Sequence, residues 1–166
     1  MSNVIFTKYL VFRMEFYIML WYDGENSGGE AYAMILEGIG LFVEDMGRMI
    51  RFYRDVMGFE ITEPEDAMNV YLKKDGVLFM LYERKNFEKM SGHVYEYIRG
   101  FNGHFEIALK VDSYGEVDRI FAEATAKGAR SVMKPETMPW GQRTCYVADP
   151  EGNLIEIGAP GENFNT

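Results

Sequence analysis

One pattern occurs twice in this chain, and that repetition constrains its fold more than any other feature. Across residues 38–43, Ile39, Leu41 and Val43 alternate with Gly38, Gly40 and Phe42, the period of two that puts successive side chains on opposite faces of a strand. Asp45 is a natural helix N-cap. Met46, Met49, Ile50, Tyr53, Val56 and Met57 then recur at helical spacing as far as Gly58, which can supply the left-handed residue that closes a helix. Strands are predicted near 59–63, 68–73 and 77–82, the last two joined by Asp75-Gly76, a two-residue hairpin signal. The second copy opens with Phe105, Ile107, Leu109 and Val111 alternating with Glu106, Ala108 and Lys110. Ser113 and Glu116 have capping-box spacing. Tyr114, Val117, Ile120, Phe121 and Ala124 make the buried stripe of a helix over 114–127, and Gly128 ends it. Strands near 130–134, 143–148 and 153–157 follow, with Asp149-Pro150-Glu151-Gly152 as the turn between the last two. Superposing Val43 on Val111 brings Gly58 close to Gly128. Two strand–helix–strands units point to a duplication, with a period too long for a solenoid. Residues 84–103 connect them, with a short helix expected at Tyr95-Glu96-Tyr97-Ile98.

The chain has 166 residues, 48% of them hydrophobic, enough for one domain with an ordinary core. Its formal net charge is -9, without a Lys/Arg cluster. That argues against nucleic acid and against an anionic membrane surface. The single Cys145 excludes an intrachain disulfide framework and fits a reducing cytoplasm. Residues 1–33 stand apart. The apolar run over 4–22 is interrupted by Lys8, Arg13 and Glu15, which suits neither a membrane span nor a signal peptide. A polar Gly-rich stretch then ends at Gly28-Gly29-Glu30. Two readings stay open: a peripheral segment on a tether, or a translated leader before a natural start at Met34, since Gly-Gly-Glu can be encoded by a purine-rich ribosome-binding run. The expected domain therefore spans 34–160, in modules of about 34–83 and 104–158, with residues 161–166 as a tail.

Three motifs carry a resemblance. Gly38 to Asp45, followed by Arg51-Phe52-Tyr53 and Val56-Met57-Gly58-Phe59, resembles the opening of a glyoxalase/bleomycin-resistance/extradiol-dioxygenase domain, the vicinal oxygen chelate superfamily. Phe105 to Asp112 resembles the opening of its second half. Asp149-Pro150-Glu151-Gly152-Asn153-Leu154-Ile155-Glu156, the most specific of the three, resembles its closing hairpin. The resemblance covers residues 34 to about 158. It implies an α+β fold of two βαβββ modules, whose eight strands curl in a mixed sheet around an open cleft, and commonly a homodimer. In the family's metalloenzymes a divalent metal (Zn, Ni, Mn or Fe) in that cleft chelates neighbouring substrate oxygens.

Such a metal needs three or four donors and an open position. The resemblance places the donors on the first and last strand of each module. These positions fall on Gly38, on Phe79 or Met80 depending on register, on Glu106 and on Glu156, so only the two carboxylates can act as ligands or catalytic groups. Glu106 sits between apolar strand neighbours, where a charge is avoided unless it is paired or useful; Glu156 belongs to a hairpin that metal-free members share. His104 is two residues before Glu106 and is a possible third donor or ligand contact, against the reading of a solvated strand end. Trp140 and Arg143, in a segment resembling one in small bacterial members, are candidates for the cleft mouth; packing explains Trp140 equally well. Gly-x-Ser-x-Gly, Cys-x-x-Cys and His-Glu-x-x-His motifs are all absent from the sequence.

Two functional readings follow. The preferred one is a protein with an incomplete metal site that binds a small organic ligand in the cleft, a cationic drug being one candidate. The alternative is a divergent metal-dependent lyase, isomerase or dioxygenase, similar to lactoylglutathione lyase.

Overall fold

The computed structural model describes residues 36–161, and the expectations for residues 1–33 and for the tail beyond 161 lie outside the described residues. The first module consists of β1 (Gly38–Val43), α1 (Met46–Arg51) prolonged by a π-helical turn over Phe52–Val56, β2 (Asn69–Lys74) and β3 (Val77–Glu83). A connecting helix α2 (Arg84–Ser91) leads to β4 (Asn102–Lys110), α3 (Tyr114–Ala126), β5 (Arg130–Thr137), β6 (Arg143–Ala148) and β7 (Asn153–Ala159).

The duplication is visible in the sheets. In the first, β3 lies between β1 and β2, parallel to β1 and antiparallel to β2. In the second, β7 lies between β4 and β6 in the same senses, and β5 extends the sheet beyond β6. The local signals act as their chemistry dictates. The Asp45 carboxylate accepts the Arg48 N–H at 2.9 Å, and Ser113 and Glu116 form the reciprocal capping box of α3. Asp75 and Gly76 both have positive φ, as the favoured two-residue hairpin requires.

Two expectations are corrected. The described residues form seven strands in sheets of three and four, because residues 59–63 join no ladder. Phe59 and Ile61 are buried all the same. The Tyr71 N–H, on the edge of β2 that this strand would pair with, donates instead to the Glu63 carboxylate at 3.2 Å, so a side chain stands in for a backbone carbonyl. The connector helix lies at α2, ended by Gly92 with φ 67, and residues 95–98 are not helical.

Alternation settles which residues reach the core. Leu41, Val43, Val70, Phe79 and Leu81 face α1, while Cys145, Val147, Ile155 and Ile157 face α3, in one buried cluster that also contains Met49, Tyr53 and Val117. Each such aliphatic side chain contributes roughly 1.5–3 kcal/mol relative to remaining exposed. The two modules are joined by polar contacts of the closing turn. The Tyr53 hydroxyl donates to the fully buried Asp149 carboxylate at 3.0 Å. Glu151 accepts the Glu44 and Asp45 N–H groups ahead of α1, at 2.8 and 3.0 Å, and pairs with Arg84 at 2.6 Å. No described helix is long and apolar enough to cross a membrane.

Candidate functional site

Because Ile155 and Ile157 point to α3, Glu156 between them points to the other face of the second sheet. The register pairs Glu156 with Ala108 on β4 and with Tyr146 on β6, so Glu106, Ala108, Lys110, Thr144, Tyr146 and Glu156 share that face. Glu106 and Glu156 are thus brought to one surface, as the motifs led one to look for.

Each carboxylate is held by neutral groups. The Tyr146 hydroxyl donates to Glu106 at 2.7 Å. The buried Thr144 hydroxyl donates to Glu156 at 2.8 Å, and the Gln142 amide does so at 3.2 Å. Burial, reinforced by the bond to Glu106, pushes the Tyr146 phenol well above its ordinary range, so it stays a donor at any physiological pH. These partners were missed in the sequence, although Gln142, Thr144 and Tyr146 alternate there with residues of the core face. Beside Glu156 lies a cavity of about 460 Å³, lined among others by Lys110, Trp140, Gln142 and Gly158. The Gln142 side chain spans this corner: its oxygen accepts the Trp140 indole N–H at 3.0 Å while its nitrogen reaches Glu156. A Cβ on Gly158 would lie 2.7 Å from that nitrogen, so the bare glycine leaves the path open.

The remaining candidates fall elsewhere. Arg143 is not at the cleft. Its odd-numbered position turns it toward α3, where it pairs with Asp118 at 2.7 Å. Trp140 is 58% exposed and lines the cavity. His104 is exposed and lines a different cavity of about 640 Å³, together with Gly40, Phe42, Arg84 and Glu151. Glu106 is exposed, so its apolar sequence neighbours do not bury it.

The repeat allows the metal expectation to be tested on the donor set. Gly40 pairs with Met80 in the first sheet as Ala108 pairs with Glu156 in the second, so Gly38 and Met80 occupy the positions equivalent to Glu106 and Glu156. Phe79, the other register, is buried toward α1. A Cβ on Gly38 would meet the Leu78 carbonyl oxygen at 2.1 Å, so no donor side chain fits there unless β3 moves. A thioether at Met80 is a poor ligand for a hard divalent ion. Among the described residues no group of three or more His, Cys, Asp or Glu is placed to hold a metal. The residues present do not fit the family's metal.

The paired sheets and the closing hairpin define a vicinal-oxygen-chelate domain. Residues 35–157 match the sequence profile of the Glyoxalase/Bleomycin resistance protein/Dioxygenase superfamily, and the chain belongs to that family. It is 29% identical over 127 residues to the uncharacterized protein YraH of Bacillus subtilis (strain 168), covering 75% of this chain and 97% of that one. Among solved structures it resembles a glyoxalase/bleomycin resistance protein/dioxygenase from Nocardioides, with TM-score 0.67, 20% identity and coverage of 81% and 89% of the two chains. It also resembles a lactoylglutathione lyase from Agrobacterium tumefaciens, with TM-score 0.59, 21% identity and coverage of 78% and 95%. At these identities the two structures speak for the fold alone.

Proposed function

We propose that this protein binds a small organic amine, with the carboxylates of Glu106 and Glu156 receiving its ammonium group. One observation carries this reading: both carboxylates stand on one sheet face, accept hydrogen bonds only from neutral donors, and form no ion pair with any described residue. Carboxylates that hold no ion pair with a described residue are open to a cationic group that can bond to them. The acidic balance of the chain favours the approach of such a ligand. A metal-dependent lyase, isomerase or dioxygenase is the weaker reading. If the protein pairs with a second copy, as small members of the family commonly do, the partner brings the same Gly38 and Met80 and adds no donor at these positions. We place this homodimer in the cytoplasm, where the buried thiol of Cys145 remains reduced.

The test is a calorimetric titration of the full chain with 2-phenylethylamine at neutral pH. Saturable binding is expected, weakened at least tenfold by Glu106→Gln and by Glu156→Gln. Binding that neither substitution weakens overturns the assignment. Sedimentation at micromolar concentration that shows only monomer overturns the homodimer.

A further inference from the structure

The corner beside Glu156 contains one group that a simple amine site does not use. Lys110 lies on the same face as Glu156. The register sets it opposite Gly158, two residues along the ladder from the Ala108–Glu156 pair, a backbone offset of about 7 Å. It lines the cavity together with Trp140 and makes no ion pair with the described residues. The cavity is therefore lined by an acidic, a basic and an exposed aromatic residue within one small volume. Gln142, bonded to both Trp140 and Glu156, fixes the aromatic wall relative to the carboxylate before any ligand arrives, which lowers the ordering cost of binding.

We propose that this cavity selects a zwitterion of the amino-acid type: its ammonium group on Glu156, its carboxylate on Lys110 and its apolar or aromatic side chain against Trp140. The proposal rests on the amine reading above and narrows it: Glu156 lines this cavity and Glu106 does not, so Glu156 is the carboxylate that meets the ammonium group here. Discrimination comes as much from repulsion as from attraction. A plain amine places its charge near the Lys110 ammonium with nothing to answer it, and a plain carboxylate faces Glu156. Only a ligand with both groups leaves neither protein charge unanswered, while Trp140 offers apolar contact and a ring face to the ammonium.

Three probes of one shape separate the contributions: L-phenylalanine, 2-phenylethylamine and 3-phenylpropanoate, titrated into the full chain by calorimetry. Phenylalanine is expected to bind at least tenfold more tightly than either of the others. Lys110→Met should remove its advantage over the amine, Glu156→Gln its advantage over the carboxylate, and Trp140→Ala should weaken all three. Lys110→Glu should invert the order in favour of the amine. Circular dichroism of each variant checks that the fold is retained, as expected for the exposed Lys110 and Trp140. Phenylethylamine binding as tightly as phenylalanine, with Glu156 still required, overturns the zwitterion and leaves the amine reading standing. No saturable binding by any of the three overturns both.

Discussion

Tyr53→Phe isolates the contact that ties the two modules together. The Tyr53 hydroxyl bonds to a carboxylate that is fully buried and accepts three further bonds, from the Glu151 and Asn153 N–H groups, both at 2.9 Å, and from the Asn153 side chain at 2.7 Å. The phenyl ring that remains keeps its packing on Phe52, Phe59 and Phe79, at centroid distances of 5.3, 5.4 and 4.7 Å, so the substitution removes the bond and little else. A hydrogen bond to a buried charged acceptor contributes roughly 1.5–3 kcal/mol. In a domain of this size that corresponds to a fall in Tm of about 5–10 °C. Burial, and after it the Asp149 charge, raise the Tyr53 phenol well above its ordinary 10.0. The folded state thus holds this proton more tightly than the unfolded chain. The resulting stability is fully present below pH 10 and is lost as pH rises toward the raised value, so the gap between wild type and variant should narrow in alkali. Thermal unfolding followed by circular dichroism at pH 7 and above pH 10 reads both effects. An unchanged Tm at neutral pH refutes the reasoning, because it would mean that Asp149 is satisfied without the helix of the first module.

Cys145 is fully buried and its thiol is pushed up to about 11, first by burial; an aromatic disulfide reagent at pH 8 should react at the rate of global unfolding and quickly only in denaturant. Fast modification of the folded chain would contradict its placement beneath α3. We also propose that residues 1–33 are dispensable, since the buried cluster among the described residues, from Leu41 to Ala159, draws on both βα modules. A chain starting at Met34 should unfold cooperatively with a similar midpoint, and loss of cooperativity would make the leading segment structural.

Local chemistry was legible in the sequence wherever it decides the outcome. The Asp45 cap, the Ser113–Glu116 box and the Asp75-Gly76 turn appear where their residues require them. The strand expected near 59–63 does not form although Phe59 and Ile61 are buried, because burial is not ladder formation and Glu63 takes the N–H that a strand would use. Helix α2 buries none of its residues, so it leaves no apolar stripe to read; its contacts include the stacking of Phe87 on Phe42 at 4.1 Å and the pairing of Arg84 with Glu151. At the site, the closing motif and the alternation around Glu106 pick out two carboxylates that the register sets on one sheet face. Arg143 is a cleft-mouth candidate only by the resemblance of its segment; its parity with Cys145 and Val147 puts it on the α3 side, where it pairs with Asp118. The contacts that carry most geometry, Tyr146 on Glu106 and Tyr53 on Asp149, join residues 40 and 96 positions apart. No local pattern encodes such pairs.

Glu106 and Glu156 serve either an ammonium group or a metal, and the two roles differ in what dialysis leaves behind. Two carboxylates leave most of a divalent ion's coordination to water, and such a site releases its metal on dilution. The decisive measurement is the metal content of purified protein after exhaustive dialysis, by elemental analysis, for wild type, Glu106→Gln and Glu156→Gln, with glyoxalase turnover assayed after adding Zn²⁺ or Ni²⁺. Well below one metal per chain is expected in all three, with no turnover. One tightly held metal per wild-type chain, released by either substitution, would contradict it and make the protein a metalloenzyme.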